Sequence, residues 1–151
     1  MPERSGPVVI AYDGSAASEH GLREAAALLA PRPALVVVVW EAGAGFEMME
    51  LPRAEVGVSA VPLDVGAAVE ADQALYEQAQ RVAAHGAELA RERGLEAETL
   101  VVADEVTVAA TLVRLAEERD AQAIVVGTHG HGRLSGMLLG STSQSLVRHA
   151  P

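Results

Sequence analysis

The chain has no cysteine, so it can build neither a disulfide frame nor a thiolate metal site. It has no lysine, and its 11 basic residues are all arginine. That excludes a P-loop of the GxxxxGK[ST] type, whose lysine reaches the bound phosphates. Aromatics are scarce, with one Trp, two Tyr and one Phe, which leaves the core to aliphatic side chains. No apolar run approaches a membrane span, and the opening Met1 to Gly6 is polar and unlike a signal peptide. The expectation is a cytoplasmic protein with no membrane partner. Carboxylates outnumber arginines 21 to 11, for a formal charge of −10. A nucleic-acid face needs clustered Lys or Arg, so nucleic acid is not an expected partner.

What is present is a single alternating domain over residues 1–151. Half the residues are apolar, enough for a proper core. Pro7 to Tyr12 (PVVIAY) and Ala34 to Trp40 (ALVVVVW) read as strands buried on both faces, because neither shows polar alternation. Ser15 caps a helix running to about Ala30, before Pro31 and Pro33. Glu41 to Val69 carries Gly43, Gly45, Pro52, Gly57, Pro62 and Gly66 and reads as a long loop. Glu70 to Arg93 is amphipathic and stops at Gly94. A third strand over Glu96 to Val102 is followed by a helix over Val106 to Arg119, with Leu112, Leu115 and Ala116 inward. A fourth strand spans Gln122 to Val126, and a last helix Ser141 to His149. Strands alternating with helices predict an α/β fold with a parallel sheet and right-handed crossovers. The doubly-wound order 3-2-1-4(-5) makes the first and fourth strands neighbours, with their helices on opposite faces.

Ligands of such sheets bind beyond the carboxyl ends of the strands, where the order reverses. Here that point joins Tyr12-Asp13-Gly14-Ser15 to Val126 and Gly127-Thr128-His129-Gly130. The second loop leads, through Gly140-Ser141-Thr142-Ser143, into a helix. Glycines allow close backbone approach to an anion, and N–H groups at a helix N-terminus point at it. From Ala121 to Pro151 there is no Asp or Glu, where even spacing would give about four. The same stretch holds Arg133, Arg148, His129, His131 and His149. Helix first turns normally favour carboxylates; this one opens on hydroxyls, which either leaves its positive end to an external anion or simply marks a Ser-capped surface helix after a flexible loop. Asp13 can accept hydrogen bonds from sugar hydroxyls or an exocyclic amine, or simply shape an Asp-Gly-Ser turn. Val38, Val39 and Trp40 supply an apolar wall on the same side, able to hold a purine edge, although Val39 taken alone reads as simple core.

Other motifs are missing. GxGxxG does not follow the first strand, and the spacing from Gly130 through Gly132 to Gly136 is one residue too long for it. No GxSxG elbow exists, which argues against a serine hydrolase. His129 and His131 have no nearby carboxylate or cysteine to complete a zinc set, so they read as polar loop residues near a phosphate ahead of metal ligands. His20 and His85 read as surface residues.

The pattern Gly127-x2-Gly130-x9-Gly140-Ser141, with Asp13 after the first strand, resembles the ATP-binding branch of the universal stress protein family. The likeness runs from PVVIAYDGS through IVVGTHGHGRLSGMLLGSTSQSLVRHAP. It implies a Rossmann-like three-layer sandwich, adenine nucleotide alpha-hydrolase-like, that binds ATP or else ADP, AMP or cyclic AMP. By position, Ala11, Asp13 and Val39 would surround adenine and ribose, and Gly127 would approach the ribose. Gly130, Gly140, Ser141 and Thr142 would hold the phosphates. Charge and proximity add His129, His131, Arg133 and Ser143, while Tyr12, Trp40 and Val126 border the same cleft. Mg2+ would accompany a triphosphate, because the cleft offers few fixed positive charges. The text departs from the family at Ala103-Asp104-Glu105-Val106, where a glycine turn is usual. The family's last apolar edge strand would lie beyond Pro151. The expectation is therefore a truncated chain, or an edge completed otherwise, with a homodimer in the native protein.

Three functions fit these residues. One is a stress-response regulator that senses nucleotide and acts on a protein partner. Another is a slow ATPase or autokinase accepting phosphate on Ser141 or Ser143. The third is a dimeric scaffold that binds no nucleotide. Hydrolysis needs a base or a water-positioning group, and the loop after the fourth strand offers no carboxylate, which favours binding. The loop 41–69, with Phe46, Met48, Met49 and Leu51, reads either as a lid or partner-binding segment or as an insertion at the sheet edge.

Overall fold

The two apolar runs read as strands pair in parallel at the middle of one sheet. The computed structural model describes residues 5–43, 65–104, 107–128 and 141–150. Within them, strands and helices alternate as β1 (Val8–Ala11), α1 (Ala16–Leu29), β2 (Pro33–Trp40), α2 (Val65–Glu92), β3 (Glu96–Ala103), α3 (Val108–Glu118), β4 (Ala123–Val125) and α4 (Ser141–His149). The sheet order is β3-β2-β1-β4, and every pairing is parallel. This is the expected order. No helix among the described residues is long and apolar enough to cross a membrane.

Side chains alternate across the central strands and divide the core in two. Val8, Ile10 and Tyr12 join Val36 and Val38 under α1 and α2. Val9, Leu35 and Val37 face the other way, against Leu112, Leu115 and Ala116 of α3 and Leu146 of α4. The inner stripe read for α3 is the stripe that is buried. A three-layer sandwich follows, with α1 and α4 on opposite faces of the β1–β4 junction.

Local chemistry sets most boundaries. Ser15 caps α1 by accepting from the Ser18 N–H at 3.1 Å, and Thr107 caps α3 by accepting from the Ala110 N–H at 3.0 Å. α2 ends in a Schellman motif. Gly94 sits at φ +92°, its N–H donates to Arg91 O, and the Leu95 N–H donates to Ala90 O. Leu95 is buried beneath that turn.

Several expected boundaries move. α2 starts at Val65 rather than Glu70. Gly66 falls within its first turns, where glycine costs only about 1 kcal/mol relative to alanine, and Ala68 is fully buried. The loop over 41–69 is thus helical at its end, and 44–64 lie outside the described residues. α3 starts at Val108, because Thr107 serves as its cap and not as a helical residue. β4 omits Gln122, whose N–H donates to Pro7 O and whose side-chain amide donates to Gly6 O.

Candidate functional site

The strands end at different heights at the carboxyl edge of the sheet. The β1–β2 ladder stops at Ala11–Val37, and the β1–β4 ladder stops at Ile10–Val125. β2 continues through Val38, Val39 and Trp40, so these residues border the space beyond β1 on one side. Val126 and Gly127 border it on the other.

The floor is the turn from β1 into α1. Asp13 Oδ1 accepts from the Ser15 N–H at 2.9 Å, and Gly14 takes φ +79°, so the turn-shaping reading of Asp13 holds for one carboxylate oxygen. Asp13 nevertheless stays exposed. Its own N–H donates to Ser18 Oγ at 3.3 Å. Ser18 is 6% exposed, and its hydroxyl donates to Ser15 O at 3.0 Å.

The second wall lies against this turn. A Cβ on Gly127 would sit 2.9 Å from the Ala17 carbonyl carbon and 3.0 Å from Ala17 O and Ser18 N. The loop after β4 therefore rests directly on the first turn of α1. Ser18 touches both walls, one through its backbone and the other through its hydroxyl. Sequence reasoning missed Ser18; its signal was the Ser15-x-x-Ser18 spacing, which places two hydroxyls on one helix turn.

α4 opens beside the same loop. Its first turn carries no acidic residue, and its last turn carries Arg148 and His149. The positive end of its dipole is uncompensated by its own side chains. Ser143 is 4% exposed. With Val126, Thr128 and Leu146 it lines a cavity of about 330 Å³. Thr142 is half-buried.

The remaining predicted residues divide. Ala11, Val39 and Val126 are half-buried against the α3–α4 core. Trp40 turns to the other face and meets Tyr76 of α2, ring centroids 5.4 Å apart and planes tilted by 57°. Tyr12 is 2% exposed and its N–H donates to Val37 O, so its side chain serves the core. His129, Gly130, His131, Arg133 and Gly140 lie outside the described residues, as does the side chain of Ser141. His20 is exposed as expected; His85, also mostly exposed, has Nε2 3.7 Å from Glu19 Oε1. No group of three or more His, Asp or Glu placed to hold a metal ion occurs among the described residues.

The model of the universal stress protein family matches residues 5–151. The chain belongs to that family. Solved structures agree in fold. One is a universal stress protein from Archaeoglobus fulgidus, 24% identical, with TM-score 0.65 over 96% of this chain and 92% of its own. The Archaeoglobus fulgidus protein in complex with dAMP is 23% identical, with TM-score 0.61 over 97% and 93%. A universal stress protein in complex with cAMP is 22% identical, with TM-score 0.57 over 97% and 92%. No curated protein matches the chain.

Within this family member the Tyr12 phenol is held strongly in its protonated form. Burial, then the Glu19 carboxylate that accepts from its hydroxyl at 3.4 Å, then Asp13 push its pKa up from 10.0 to about 12. The fold thus favours the neutral phenol. Its contribution is complete below the ordinary tyrosine pKa and is lost as pH rises through about 12. We expect stability to fall by on the order of 2 kcal/mol between pH 9.5 and 12, and Tyr12→Phe to remove most of that fall. Urea melts across this range check it; a wild-type slope no steeper than that of the variant contradicts it.

Proposed function

We propose that the chain binds an adenine nucleotide across the carboxyl edge of the sheet and works as a nucleotide-dependent stress-response regulator. The observation that carries this reading is the contact of Gly127 with the first turn of α1. It joins a loop leading to an acid-free helix start to the turn that presents Asp13. The first favours phosphate, the second a sugar or exocyclic amine. The complexes of family members with dAMP and cAMP support the same ligand class.

In this reading ATP is the first candidate, ahead of ADP, AMP and cyclic AMP. Ala11, Asp13 and Val39 hold the adenosine end. Gly127, Gly130, Gly140, Ser141 and Thr142 hold the ribose and phosphates, with His129, His131, Arg133 and Ser143 nearby. Mg2+ accompanies the triphosphate and supplies the charge neutralisation that this arginine-poor cleft lacks. A cytoplasmic homodimer with a protein partner completes the proposal. Binding is favoured over hydrolysis because Asp13, the carboxylate at the turn, already holds the turn by Oδ1.

The experiment is acid extraction of purified protein, with chromatography and mass measurement of what is released. Calorimetric titration of stripped protein with ATP and Mg2+ accompanies it, and light scattering reads the dimer. An adenine nucleotide in the extract, or saturable binding of one, is expected. Neither, in folded protein, would sink the proposal.

A further inference from the structure

The amino edge of the sheet lies at the far end of the strands from Asp13 and Gly127, roughly 26 Å away along the 8 residues of β2. It carries a cavity of about 650 Å³. Pro33, Leu35 and Ala97 form its floor, and four charged side chains line it: Arg91, Glu96, Glu98 and Arg119. Arg91 comes from the last turn of α2, and Arg119 directly follows α3. The β2–β3 register sets Glu96 beside Pro33 and Glu98 beside Leu35, on the sheet face that Leu35 shares with α3. Arg119 belongs to the β1 end of this edge, because the chain that follows it is bonded there. The Gly6 N–H donates to Asp120 O at 3.1 Å, and the Gln122 N–H donates to Pro7 O at 3.2 Å. From the start of β1 to the start of β3 is two strand spacings, about 10 Å.

We propose that this cavity is a second small-molecule site, for a short peptide with free ends, whose ammonium is held by Glu96 and Glu98 and whose carboxylate is held by Arg119. Three observations carry it. The charges are unspent. Among the described residues the ion pairs involve Arg23, His85 and Arg114 with their glutamates, and none involves these four groups. Arg32, on the same edge, is by contrast bonded to Gln122 Oε1. Helix dipoles account for the arginines and edge protection for the glutamates, but neither keeps the two sets apart around one open space. The signs are balanced, two of each. The glutamates repel a phosphate or other plain anion, and the arginines repel a metal ion or polyamine. A ligand carrying both signs satisfies both sets. The span fits as well: about 10 Å is the length of three extended residues, and the volume falls in the range of small-ligand sites. The backbone of this edge cannot replace the side chains. Pro7 O and Arg32 O already accept hydrogen bonds, and Pro33 has no N–H. Arg91 has a positioning role: its Nε donates to Ala97 O at 3.0 Å, which fixes its guanidinium over the outer edge of β3, where it can donate to a ligand carbonyl.

The test is calorimetric titration of the protein with the tripeptide leucyl-alanyl-leucine, its N-acetyl form, its C-terminal amide and inorganic phosphate. Saturable binding of the free tripeptide is expected. Acetylation and amidation each remove one charge and should each weaken it about tenfold. Arg119→Gln, at an exposed position, should weaken the free tripeptide by a similar factor and leave the amide within about twofold of the wild type. Glu96→Gln combined with Glu98→Gln, both also exposed, should do the same for the free tripeptide against the N-acetyl form. These pairings tie each end of the ligand to its own residues, which a general loss of structure would not do. No saturable binding of the tripeptide overturns the inference. So do equal affinities for the free and capped forms, a loss in each variant that is the same for free and capped peptide, or phosphate binding as tightly as the tripeptide. Each of these outcomes leaves the nucleotide reading intact, because that site lies at the opposite edge of the sheet.

Discussion

Gly127→Ala is expected to lower stability by about 2 kcal/mol and to weaken adenine nucleotide binding at least tenfold, a loss of about 1.4 kcal/mol. The added methyl would sit 2.9–3.0 Å from the Ala17 carbonyl and the Ser18 nitrogen, closer than packed carbon tolerates. These neighbours are backbone atoms of a capped helix turn, held by the Ser15 cap and unable to rotate away as a side chain would. The loop after β4 must then lift from α1. Lifting separates the phosphate wall from the Asp13 turn, and binding suffers with stability. Gly21→Ala is the control. Its Cβ would lie 3.8 Å from the Gly127 nitrogen, ordinary contact, and alanine in mid-helix should stabilise by up to about 1 kcal/mol. Thermal melts and nucleotide titration of both variants decide the matter. A Gly127→Ala protein that melts and binds like the wild type would mean that the loop does not press on α1.

The contact at Gly127 also marks where sequence reading stopped. β1 and β2 were legible because unbroken apolar runs of that length fit strands covered on both faces. The Ser15 cap and the Gly94 stop were legible because each reflects chemistry within one turn. Sheet order then brought two distant loops together by rule. Glycine at 127 read as room for a ligand. In the fold it is first of all room for the α1 backbone, and a sequence does not reveal which atom a missing side chain accommodates. Tyr12 read as cleft lining, yet the pleat sends its ring inward with Val8 and Ile10. The start of α2 was hidden for a similar reason: Gly66 looks like a breaker until the burial of Ala68, a tertiary fact, outweighs it. His129, Gly130, His131, Arg133 and Gly140 lie outside the described residues.

Gly86→Val is expected to cost about 3 kcal/mol. Glycine in the middle of a long helix normally sacrifices about 1 kcal/mol relative to alanine, so its retention calls for a cause. The cause is Tyr12. A Cβ at position 86 would stand 2.6, 2.8 and 3.0 Å from three atoms of the phenol ring. That ring cannot swing aside, being 2% exposed and hydrogen-bonded through its hydroxyl to Glu19. Valine must therefore push α2 off the sheet or force Tyr12 from its rotamer. Tyr12→Ala alone should cost about 3–5 kcal/mol through the cavity it leaves. The same cavity accepts the valine, so the double variant should be more stable than the sum of the single losses predicts, by about 1–2 kcal/mol. Urea denaturation of the four proteins measures this coupling, and strictly additive losses would contradict the contact. Because Tyr12 directly precedes Asp13, displacing its ring also disturbs the turn that presents the carboxylate. Gly86→Val should consequently weaken nucleotide binding from a position on the helix face turned toward the core.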